Sequence, residues 1–155
     1  MAYDAIAHGA RGILYWGTQT IDDPFFRESL YALTAELGEL EALLVGADQT
    51  VEVTVIDDLF DAPGIGVRGT LKSNQADYLL ILVNEDDHRH LGVDVTELKA
   101  LNGRTLHLLY GDEKIVVRKG GIVTRMQAHE VKLFCTNPRY ETKRTKGRDY
   151  VAAVK

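Results

Sequence analysis

The sequence predicts a mainly β chain: an antiparallel β-sandwich preceded by a short helix–strand–helix slice of α/β type. Two observations predict it. From Thr50 onward, apolar residues alternate with polar ones, and turn signals recur about every 8–12 residues, the spacing of a sandwich. Before that point the period is helical, broken by one continuous apolar run between glycines, Gly12-Ile-Leu-Tyr-Trp-Gly17.

In chain order, Ala2–His8 reads as a short helix ended by Gly9, which suits a left-handed C-terminal cap. Gly12–Gly17 reads as a strand buried on both faces, as in parallel sheets. Asp22 or Asp23 caps a second helix, with Pro24 in its first turn where the missing N–H costs nothing. Phe26, Leu30, Leu33, Leu37, Leu40 and Leu44 give that helix one apolar stripe, and Gly46 ends it. Strands are then expected at Thr50–Ile56, Gly66–Lys72, Asp77–Asn84, His90–Val95, Arg104–Tyr110, Lys114–Arg118, Ile122–Thr124 and Glu130–Thr136. Asp61-Ala-Pro-Gly64, Ser73-Asn74, Glu85-Asp-Asp87, Asn102-Gly103, Gly111-Asp112 and Gly120-Gly121 supply the turns.

This gives three segments: a terminal βα portion over 1–46, a sandwich over 47–136 and a basic tail over 137–155. A strand apolar on both faces needs neighbours at both edges, and nothing downstream supplies parallel ones. The first segment therefore reads as the end of a larger α/β domain. In the tail, Arg139, Lys143, Arg144, Lys146, Arg148 and Lys155 outnumber Glu141 and Asp149, although the whole chain carries −5. That overall charge argues against a nucleic-acid partner, and the tail reads as a solvated, mobile extension.

No apolar run approaches the ~18 residues of a membrane span. Cys135 is the single cysteine, so no internal disulfide forms, and one thiol fits either an oxidising or a reducing compartment. Met1-Ala2-Tyr3-Asp4 lacks the basic and apolar regions of a secretion signal.

Candidate chemistry is sparse. Gly64-Ile-Gly66-Val-Arg-Gly69 matches a dinucleotide pattern, yet a strand follows it where a helix N-terminus would be needed. Asp86, Asp87, His88 and His90 lie between two strands and read as turn content, while His8 at a helix end suits an interaction with the last carbonyls. Cys135, among apolar neighbours, reads as an inert buried thiol. Ser29 and Ser73 lack a nucleophile-elbow context, and no pair of carboxylates can be nominated for glycoside chemistry. No catalytic residue, metal ligand or cofactor site is therefore expected. Trp16 ends the apolar run, and either packs in a core or stacks on a sugar face at a strand's C-terminal edge.

The stretch Ala5-Ile-Ala-His-Gly-Ala-Arg-Gly-Ile-Leu-Tyr-Trp-Gly17 resembles the entry to the eighth strand of a (β/α)8-barrel glycoside hydrolase of the retaining, two-glutamate kind. Pro24–Leu44 is similar to the eighth barrel helix, Asp77–Asn84 to the central strand of the appended β-sandwich, and Gln127–Phe134 to its last strand. The resemblance spans roughly residues 2–136 and makes the first segment a barrel remnant. It implies that the acid/base and nucleophile come from the fourth and seventh barrel strands, upstream of Met1. It carries over Trp16 as substrate-facing, with Tyr15, Thr18 and Gln19 in the same loop, toward a carbohydrate.

Two functions follow from this reading. The chain is the C-terminal fragment of a glycoside hydrolase, inactive by itself and prone to self-association through its uncovered N-terminal strand. Alternatively, it is a stand-alone sandwich that binds carbohydrate or protein without catalysis, its N-terminal helices merely packing on a sheet.

Overall fold

In the computed structural model of the chain, residues 1–15, 17, 21–56, 66–109 and 111–140 are described. Three helices come first: α1 (Ala2–Ala7), α2 (Pro24–Glu39) and α3 (Glu41–Leu44). Nine strands follow: β1 (Ala47–Gln49), β2 (Glu52–Val55), β3 (Val67–Asn74), β4 (Asp77–Asn84), β5 (Leu91–Thr96), β6 (Thr105–Leu108), β7 (Lys114–Val116), β8 (Ile122–Met126) and β9 (Val131–Cys135). They form a six-stranded sheet in the order β1-β3-β4-β9-β6-β7 and a three-stranded sheet in the order β2-β5-β8. Every strand pairing among the described residues is antiparallel.

Period-two alternation sorts the side chains into two cores. Leu80 and Leu82 of β4 and Phe134 of β9 face the small sheet, where Leu91, Val93, Val95, Ile122 and Met126 meet them. Leu79, Ile81, Leu133 and Cys135 face the other way, against Tyr3, Ile6, Leu40 and Leu43 of the helical layer. The large sheet is thus covered on both faces, and β4, buried from Leu79 to Asn84, is its axis. Gly69 stands where the sheets approach: a Cβ there would lie 2.6 Å from Val53 Cγ2. That close approach accounts for the last glycine of the dinucleotide-like pattern, whose residues 64 and 65 lie outside the described ones.

The sequence expectations differ from the structure in several places. Residues 12–15 and 17 form no strand, and Leu14 is 85% exposed. The second helix stops at Leu40, and a separate turn, α3, follows. Strand β1 lies in a stretch read as helix end and linker. The Ser73-Asn74 turn sits two residues later, at Gln75-Ala76, where Gln75 has φ 47°. Elsewhere the expected capping holds: the Asp23 side chain accepts from Phe25 N–H at 2.9 Å, and Gly9 has φ 92°. Past β9 a 3₁₀ turn, Pro138–Tyr140, packs Tyr140 into the helix-side core, so the packed chain reaches beyond residue 136. Residues 141–155 of the expected mobile tail lie outside the described ones. No helix among the described residues is long and apolar enough to cross a membrane.

Candidate functional site

A cavity of about 520 Å3 opens between the segment after α1, helix α2 and the handover from α3 to β1. Its size is that of a small-molecule pocket. Ile13, Leu37 and Leu44 give it apolar wall, and Tyr15, half-buried, adds a ring with a hydroxyl. Arg11 and Glu41 border it with charge.

The Lys72–Asp48 ion pair forms another part of the lining. These residues face each other across the β1–β3 ladder. Lys72 is 5% exposed because its neighbour Leu71 points into the inter-sheet core, which turns Lys72 toward the helical layer. A cation so buried requires a partner, and Asp48 on the edge strand supplies it. Apolar walls with a few fixed polar groups are what small-molecule sites in general present.

Of the residues the sequence singles out, Tyr15 lines this cavity, whereas Trp16, Thr18 and Gln19 lie outside the described residues. Arg11, Glu41, Asp48 and Lys72 were missed. Lys72 carried a signal, since a lysine among strand apolars must either face solvent or find a buried partner.

The acidic and histidine run after β4 is a turn held by its own backbone. Asn84 Nδ2 donates to the carbonyls of Arg89 and Gln127 at 3.0 and 2.8 Å. Asp86 Oδ1 accepts from His88 and Arg89 N–H at 2.9 and 2.7 Å. Those backbone bonds first, then the Arg89 side chain, pull the Asp86 carboxyl down to about 2. His8, expected at the carbonyls of its own helix, instead directs Nε2 to Glu85 Oε1 at 2.7 Å. Helix α1 is only six residues long and packs on β4, so the strand-end carboxylate is within reach.

Cys135 lies fully buried on the helix side of β9, and burial pushes its thiol up to about 11. An ordinary thiol ionises near 8.5. The native state therefore keeps a proton that the unfolded state loses, and this contribution is full below about pH 8.5 and is lost as pH rises toward 11. Cys135→Ala is expected to flatten the alkaline arm of the stability profile, read from urea midpoints across that range. An unchanged slope would contradict a buried thiol.

No family model matches the chain, and no curated protein does. Among solved structures the chain is similar to AmyP, crystallised in complex with maltotriose, with 17% identity and a TM-score of 0.49. The match covers 72% of this chain and 21% of that one, so the chain spans about a fifth of that protein's length.

Proposed function

We propose that this chain is the C-terminal portion of a (β/α)8-barrel glycoside hydrolase, with residues 1–46 the last βα unit of the barrel, its strand pairing only beside the rest of the barrel, and 47–136 the appended sandwich. The observation that carries the reading is where the exposed apolar surface lies. Leu14, Phe25, Phe26 and Tyr31 are 85%, 71%, 50% and 59% exposed within the first 46 residues, against Ile56, Val116 and Val123 at 51%, 44% and 60% in the sandwich segment. Large apolar side chains left to water in one helix and the segment before it suggest surface that a partner covers. The resemblance of Ala5–Gly17 to the entry of the eighth barrel strand supplies the cover: the rest of the barrel. In that whole protein Trp16, Tyr15, Thr18 and Gln19 face the carbohydrate, and the catalytic carboxylates come from strands preceding this chain. The purified chain is expected to release no aryl alcohol from aryl glycosides, and turnover would contradict that assignment of the carboxylates.

The same exposed side chains give a solution property. Isolated, the chain is expected to self-associate, driven by apolar burial worth about 25 cal/mol per Å2. Light scattering over a concentration series would show the mass rising, and Leu14→Ser with Phe25→Ser would restore the monomer. A wild-type chain monomeric at every concentration would mean that these side chains need no cover. The other reading, a stand-alone carbohydrate- or protein-binding sandwich, draws on the second core: α1 and α3 pack on the large sheet as an integral layer. That reading expects sugar binding by the isolated chain, at the cavity holding Tyr15.

A further inference from the structure

We propose that Asp4, His8 and Glu85 bind one divalent transition-metal ion, with zinc the best fit. Asp4 and His8 stand four residues apart in α1 and so share a helix face, and Glu85 directly follows β4, on which α1 packs. One ligand atom from each residue lies within 4.8 Å of the other two. Asp4 Oδ1 itself is closed to solvent and has no hydrogen-bond partner among the described residues, although the Asp4 side chain is 42% exposed and this oxygen lies 3.6 Å from His8 Nε2. A carboxylate oxygen turned from water and left without a donor can accept a cation.

The donor set is one imidazole and two carboxylates, hard and borderline ligands of the kind zinc takes, with the remaining position left to water. Ligands about 2.0–2.2 Å from a tetrahedral ion lie roughly 3.4 Å from one another. The Asp4–His8 separation already meets this, and the 2.7 Å between His8 Nε2 and Glu85 Oε1 must open by less than 1 Å. Binding replaces any proton shared between those two atoms: it leaves to solvent, and the imidazole keeps its other proton on Nδ1. Arg68 Nε donates to Glu85 Oε1 at 3.0 Å. The guanidinium therefore orients Glu85 but also opposes an incoming cation.

Zinc chloride alone, titrated calorimetrically into the full chain at neutral pH, is expected to show one saturable site per chain. His8→Ala is expected to weaken it by roughly 100-fold, the upper end of what even an outer-shell partner costs, while His88→Ala changes nothing. Because His8→Ala could also loosen α1, Arg68→Met gives an independent reading: removing the competing cation is expected to tighten zinc severalfold. Cobalt substitution adds a visible absorption band that wild type gives and His8→Ala lacks. Absence of a saturable site, equal affinity in His8→Ala, or zinc binding unchanged or weaker in Arg68→Met would each overturn the proposal. In that case the cluster is an ion pair tying α1 to the sheet.

Discussion

Truncating Phe134 to alanine is expected to cost about 3–5 kcal/mol, much of the 5–15 kcal/mol that holds a domain of this kind together. Phe134 is fully buried, stands in β9 opposite Leu80 of β4 and Leu108 of β6, and points into the core between the sheets. Its ring also has the Lys132 ammonium 6.0 Å from the centroid, and that ammonium ties the two sheets by binding Glu113 and Thr124. Losing the ring removes apolar burial and leaves a cavity that rigid strands on both sides cannot collapse. Urea unfolding would show the midpoint falling at constant slope, with Phe134→Leu between wild type and alanine. A midpoint unmoved by Phe134→Ala would mean that the sheets do not meet through this residue.

Leu43→Ala tests the other core. Leu43 is wholly buried in α3, against the outer row Leu79, Ile81 and Leu133 of the large sheet. The expected loss is about 2–5 kcal/mol. The helical layer covers an apolar face that the sandwich cannot leave to water, so the effect is expected to be global rather than confined to the helices. Hydrogen exchange would then report reduced protection in β4 and β9 as well as in α1. Loss confined to residues 1–46, with the strands unchanged, would show a layer that merely rests on the sheet.

The strands were legible because one face of most of them is wetter than the other. All eight expected strands occur, with Asp77–Asn84 found to the residue. Strand β1 escaped because its three residues are all exposed and alternate nothing: only the ladder with β3 makes Ala47–Gln49 a strand. The opposite error arose at Gly12–Gly17. A continuous apolar run signals a strand covered on both faces, but the signal holds for any strand so covered, parallel or not. In the described structure the run that fulfils it is Leu79–Val83 of antiparallel β4, between the small sheet and the helices. Residues 12–15 share the composition but belong to no described strand. The Leu40 break was hidden because the Leu37, Leu40, Leu44 spacing continues across it.

Of the candidate site, the sequence pointed to Tyr15 but not to the rest of the cavity. Arg11, Glu41 and Lys72 meet only once α2 and α3 fold back over the edge of the large sheet. Separations of some 30 residues leave no periodic trace. The Asp4–His8–Glu85 group has the same character: its i, i+4 pair is visible in the sequence, and its third member is brought in by the docking of α1 on β4.

The central claim, that this chain completes a barrel glycosidase, is tested most directly by the genomic sequence upstream of the Met1 codon. The account predicts an open frame continuing in phase and encoding several further βα units, with glutamates at the ends of the strands corresponding to the fourth and seventh. A stop codon and a ribosome-binding site immediately before Met1 would contradict it, leaving a self-contained sandwich whose exposed Leu14, Phe25 and Tyr31 need another explanation.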